Sequence, residues 1–162
     1  MQARSLVRKR TAVVIMALAI GIGATACLPD TGPPPTQDPY QRAMFDAVNR
    51  DRANAGLPGL TFSPKLSVLA GVHSCDMMRA GYLFHDNLGS IMNNPDFGAF
   101  WSLGENVVQA PWYYSGWDLE GLWMASGPHR GNILNRNFNV VGMAACFAPD
   151  GRVWATQVFG AL

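Results

Sequence analysis

The chain has 162 residues, with 12 Lys and Arg against 11 Asp and Glu and a formal net charge of +1. That length supports one folded domain with a sizeable core, and nearly half of the residues are hydrophobic. The near-neutral balance excludes the basic footprint that holds a phosphate backbone, so nucleic acid is not an expected partner.

Arg4, Arg8, Lys9 and Arg10 precede an uncharged run over 11–22, and "GATAC" follows. A basic start, a short apolar stretch and a small-residue exit read as a secretory signal peptide over residues 1–26. The apolar run falls short of the ~20 residues that cross a bilayer, so a permanent transmembrane helix is the weaker reading. Two processing outcomes compete at the exit. Ala24-Thr25-Ala26 offers an ordinary signal-peptidase site, and the same residues before Cys27 resemble a bacterial lipobox that would leave Cys27 lipidated. Cysteine arithmetic leans toward lipidation, because it removes the odd thiol and leaves Cys75 and Cys146 free to pair. Residues 27–39, "CLPDTGPPPTQDP", form a proline-rich linker ahead of a domain over 40–162. "LPDTG" fits a sortase pattern but lies at the wrong end of the chain. The expected location is extracellular or at the cell surface, with any anchorage to the cytoplasmic membrane through an N-terminal lipid on its outer face.

"YQRAMFDAVNRDRANAG" reads as a helix with Met44, Phe45, Val48 and Arg52 near one face and Gly56 as its stop. Ser63 as cap and Pro64 as first helical residue open a second helix. Its inward stripe is Leu66, Leu69, Ala70, His73 and Met77, and it ends near Gly81. Residues 87–101 read as irregular, and "SLGENVVQAP" offers a short strand after a tight turn. "GWDLEGLWMAS" predicts a third helix with Leu119, Leu122 and Trp123 inward. "PHRGNIL" predicts a short fourth helix with Pro128 at its first position. Two β-rich runs flank Pro149-Asp150-Gly151, a hairpin turn. Helices first and strands last, without βαβ alternation, indicate an α+β fold with an antiparallel sheet. A Cys75–Cys146 disulfide would tie the second helix to the hairpin across about 70 residues, worth about 4 kcal/mol; two reduced buried thiols are the alternative.

The chain has no HExxH, CxxC, GxSxG or phosphate-cradling glycine loop. Three histidines and Glu105 are the candidates for site chemistry. His73, on an apolar face, reads as a packed ring bonded to a backbone group. His85 follows a helix stop, and Glu105 alone could be a turn carboxylate. His129 sits in a first helical turn, where the helix N-terminus disfavours the protonated ring. The aromatics of "APWYYSGW" read either as an apolar wall for a lipid or glycan or as a plug in the core between strand and helix.

The segments "VNRDRANAGLPGL", "LSVLAGVHSCDMMRAGYLFH", "LGENV", "LWMASGPHRGNILNRNFNVVGM" and "VWATQVFG" resemble, in order, those of the CAP superfamily (cysteine-rich secretory proteins, antigen 5, pathogenesis-related protein 1), in its bacterial SCP-like branch. The resemblance implies a three-layer α-β-α sandwich around a central antiparallel sheet. It also implies an open cleft where two histidines and two acids meet, able to hold zinc or another divalent metal weakly. The matching residues here are His85, Glu105 and His129. The place of the second acid holds Ser126, and Glu120, about two turns away, does not inherit the role. No residue is assigned a catalytic role, because neither a separate general base nor an activated nucleophile is evident. The expectation is a non-catalytic extracellular module binding a small apolar ligand, a glycan or a protein. A peptidase-like, metal-dependent hydrolase using the same residues is the alternative.

Overall fold

The Asp38 side chain accepts from the backbone N–H of Tyr40 and Gln41 and caps α1, Pro39–Asn54. The computed structural model describes residues 38–94, 97 and 100–162. The expected signal peptide, Cys27 and all of the linker before Asp38 lie outside the described residues. Helix α1 buries Gln41, Met44, Ala47, Val48 and Arg52. Arg52 is 1% exposed and donates to the carbonyls of Pro58, Ile133, Asn135 and Phe138 at 2.8–3.2 Å. Four acceptors around one guanidinium offset the cost of taking it from water.

Helix α2, Pro64–Ala80, opens on Ser63, whose hydroxyl accepts from Leu66 N–H. It ends at Gly81 with φ 79°, a left-handed position that suits glycine. Its buried stripe is Leu66, Ala70, His73, Ser74 and Met77. Within the stretch expected to be irregular, Asn87 caps a five-residue helix α3, Leu88–Met92. Helix α4, Gly116–Ala125, starts with a reciprocal Ser115–Asp118 capping box. It turns Leu119, Glu120 and Trp123 inward, whereas Leu122, expected inside, is 39% exposed. Positions 116, 119, 120 and 123 make one stripe, and Glu120 sits in it because a polar partner waits beneath. Helix α5, Gly127–Ile133, begins one residue earlier than expected.

Strands β1 (Thr61–Phe62), β2 (Ser102–Pro111), β3 (Val140–Phe147) and β4 (Arg152–Ala161) form one sheet in the order β1-β3-β4-β2. The β3–β4 and β4–β2 ladders are antiparallel, while β1 runs parallel to β3, so the sheet is mixed rather than purely antiparallel. Parallel pairing needs a long crossover, and α2 lies within this one. The strand expected around Val107 and Val108 spans ten residues, and Glu105 lies within it instead of in a turn.

Alternation along the strands builds the layers. One face carries Val140 and Val158 against Leu66 and Ala70 of α2. The other carries Val141, Met143 and Phe159 against Met44, Val48, Leu119 and Trp123 of α1 and α4. Helix α2 presses so close to the sheet that a Cβ on Gly142 would lie 2.1 Å from the Ser67 nitrogen. A disulfide joins Cys75 to Cys146, with Cα atoms 5.1 Å apart and a separation of 71 positions in sequence. The aromatics after β2 divide: Tyr114 packs against the core, whereas Trp112 is 61% and Tyr113 70% exposed.

Candidate functional site

Glu105 is the centre of the site. It points to the α2 face of β2, with its side chain 1% exposed. Its Oε1 accepts from His85 Nδ1 at 2.7 Å and from the Asp86 backbone N–H at 3.1 Å. Gly81 stops α2 and turns the chain back, which delivers His85 to this carboxylate. Donation from Nδ1 leaves Nε2 of a neutral His85 ring with its lone pair, on a side chain that is 62% exposed. The second carboxylate oxygen, Oε2, is buried without a hydrogen-bond partner among the described residues. It lies 3.6 Å from His73 Nε2, beyond hydrogen-bond reach.

His73 is 3% exposed and its Nε2 is 2.9 Å from the Phe84 carbonyl. A carbonyl can only accept, so this nitrogen carries the proton. The expectation of a packed ring bonded to backbone holds, and the ring also walls the Glu105 pocket. His73, Asp86 and Glu105 each offer a ligand atom within 4.8 Å of the others, a group able to hold a metal ion. That grouping was not anticipated. Its signal was the His73–Glu105 proximity, which arises from packing α2 on the sheet and has no local trace in sequence.

His129 enters from α5, which packs beside the edge strand β2. Its ring is half-buried, and burial followed by the nearby His85 pushes its pKa below the ordinary histidine value. The shift runs in the direction expected from the helix start, but its causes are desolvation and a neighbouring imidazole. His85 and Glu105 therefore meet directly, and His129 approaches from the side of His85.

On the opposite, α4 face of the sheet lies a chain of buried and half-buried amides. Asn106 Nδ2 donates to the His129 carbonyl and to Gln157 Oε1, both at 3.1 Å. Asn132 Nδ2 donates to Asn106 Oδ1 and to the Glu105 carbonyl. Gln157 Nε2 in turn donates to Glu120 Oε2 at 2.5 Å. Glu120 is fully buried, and desolvation pushes its pKa up to about 8 despite the Gln157 bond. Because residues alternate along β2, Glu105 and Asn106 serve opposite faces of the sheet. Glu120 therefore lies on the opposite side of the sheet from the Glu105 carboxylate.

A donor set of imidazole and carboxylate suits zinc or a similar divalent ion. Among the described residues, the ligand atoms that converge within 4.8 Å are those of His73, Asp86 and Glu105, and neither His85 nor His129 belongs to that group. The His85–Glu105 bond also matches the arrangement in which a carboxylate orients a metal-binding imidazole.

The model of the family described as CAP, cysteine-rich secretory protein family, matches residues 45–159. The uncharacterized protein YkwD of Bacillus subtilis is 29% identical over 134 residues, which cover 80% of this chain and 51% of YkwD. The chain thus spans about half the length of that relative. An extracellular protein of Bacillus anthracis containing an SCP domain matches with TM-score 0.60 and 28% identity, over 76% of this chain and 40% of that one. An outer surface protein of Borrelia burgdorferi matches in fold, with TM-score 0.64 and 14% identity over 74% of this chain and 90% of its own.

Proposed function

Because this chain belongs to the CAP, or cysteine-rich secretory protein, family, we propose that it is an exported cell-surface binding module. In this reading its cleft presents a weakly held divalent metal to a ligand and performs no turnover of its own. The observation that carries it is the double acceptance by Glu105 Oε1, from His85 Nδ1 and Asp86 N–H. It fixes the His85 ring with Nε2 available, beside a second ring kept neutral at His129. His85 and His129 would hold the ion, with Glu105 orienting His85. The His73 group is the poorer holder, because His73 Nε2 would have to give up its bond to Phe84. A bound ion there would act as a Lewis acid toward water or a ligand oxygen.

Export is supported by the leader-like N-terminus and by the disulfide, which persists in oxidising compartments. The relatives described as extracellular and outer-surface proteins agree with it. With Cys75 and Cys146 joined, Cys27 is the one cysteine left over, which supports its lipidation.

Calorimetric zinc titration of the full chain tests the metal. Weak stoichiometric binding, lost in His85→Ala and in His129→Ala, is the expected result. Binding that survives both and disappears in Asp86→Asn would move the ion to the His73 group. The alternative, a metal-dependent hydrolase, draws on the same His85–Glu105 pair. Peptide hydrolysis that tracks zinc loading and vanishes in His129→Ala would replace the binding module with that enzyme.

A further inference from the structure

Four parts of the chain meet at one end of the sandwich. Helix α2 runs along β3 in the same direction: Ser67 Oγ bonds the Met143 carbonyl, Cys75 joins Cys146, and Met78 Sδ is 3.5 Å from Cys146 Sγ. Its C-terminus therefore reaches the β3–β4 turn. Trp112 N–H donates to the Gly151 carbonyl in that turn, which brings the β2–α4 connection to the same place. Helix α1 starts there too, with the Tyr40 ring 5.1 Å from Phe147 and its hydroxyl donating to the Tyr114 carbonyl. The large hydrophobic side chains exposed at this end are Tyr82 63%, Leu83 46%, Trp112 61%, Tyr113 70% and Phe147 50%, beside the exposed ion pairs Arg79–Asp76 and Arg152–Asp150. Aromatic rings gathered at exposed turns mark a contact surface rather than a scatter of surface residues.

We propose that this aromatic end docks on the headgroup region of a lipid bilayer. The inference rests on the reading of Cys27 as a lipidated anchor. The geometry favours a bilayer over a glycan. Trp112 and Tyr113 are inclined at 79° with centroids 6.5 Å apart, and Tyr113 and Tyr114 at 51°, so they share no flat face for a sugar ring. A bilayer interface accepts amphipathic Trp and Tyr rings at any tilt. The point of chain entry agrees. Asp38 opens α1 at this end, and the eleven residue-to-residue steps from Cys27 to Asp38 span at most about 40 Å. A lipid on Cys27 would thus tether the domain to the membrane from this end. Asp38 and Asp150 also lie here, the latter paired with Arg152. Adhesion therefore comes from the rings and not from attraction to anionic lipid.

The test uses the full chain with vesicles of phosphatidylcholine whose acyl chains carry bromine, a quencher of tryptophan emission at bilayer depth. The expected result is quenching that is largely lost in Trp112→Phe and retained in Trp101→Phe, which alters an exposed ring at the far end of β2. Replacing Trp112 and Tyr113 together by Ala should weaken vesicle binding by about tenfold or more. Adding phosphatidylglycerol should change it little. Vesicle-bound protein whose quenching is the same in wild type and Trp112→Phe would overturn the proposal. So would emission that responds to soluble cell-wall glycan and not to brominated lipid. The anchor is read separately, by whether Cys27→Ser moves the protein out of the cell membrane fraction; an unchanged distribution refutes the anchor and leaves the quenching result to judge the docking.

Discussion

Replacing Glu120 by Gln should reverse the chain's stability order between mildly acid and mildly alkaline pH. The carboxyl is fully buried under α4 and its pKa is pushed up to about 8, chiefly by desolvation and, less, by Asp51; the Gln157 bond and Arg50 act the other way. Below about pH 4.5 both folded and unfolded chains carry the proton, and the group does not oppose folding. Above that, the unfolded chain ionises while the folded one keeps its proton, so stability falls by about 1.4 kcal/mol per pH unit. The fall stops near pH 8, where the folded state ionises too, after a loss of about 5 kcal/mol at most. In Glu120→Gln the amide oxygen can still accept from Gln157, but its NH2 faces the position of Oε1, which has no partner among the described residues. The amide leaves two buried N–H donors unpartnered where the protonated carboxyl leaves one O–H, a net cost of about 1 kcal/mol or more. The variant should therefore be less stable near pH 5 and more stable near pH 8.5, with the crossing in between. Urea unfolding at a series of pH values, followed by tryptophan emission, reads both curves. Parallel curves for the two proteins would refute the buried-acid argument.

Other outcomes follow from packing. Arg52→Met removes the donor to four carbonyls, and a loss of about 3–5 kcal/mol is expected in denaturant melts, with only partial recovery in Arg52→Lys. Gly142→Ala forces a methyl into the α2 backbone, so it should cost about 3 kcal/mol or prevent folding, whereas Gly121→Ala, with open space around its Cβ, should not. Removing both Cys75 and Cys146 should lower stability by about 4 kcal/mol without altering zinc affinity, which equilibrium melts and titration together check.

The elements that could be read locally were those with local causes. Ser63-Pro64 and Gly81 bracket α2 because a cap, a fixed φ and a left-handed stop act within a few residues. Strand β2 was harder to see because two of its buried positions are Glu105 and Asn106, which break the apolar alternation and are satisfied from elsewhere in the chain. The inward turn of Glu120 was hidden for the same reason, since its partner Gln157 comes 37 residues later. Strand β1 contributes two residues to the sheet, too few to show a period. The cleft residues His85, Glu105 and His129 came from resemblance and not from spacing. His73 and Asp86 joined them only through the packing of α2 and the turn that follows it.

The Cys75–Cys146 bond closes a covalent ring over residues 75–146, and His85, Glu105 and His129 all lie inside it. A single peptide-bond cut between α3 and β2 would open the backbone, yet both fragments would remain joined through sulfur. If the chain is exported as proposed, to where proteases are encountered and no new copy is made on site, these residues are thereby protected against release by one nick. The fragment carrying His85 could not diffuse from the fragment carrying Glu105 and His129 until the disulfide was reduced or a second cut was made.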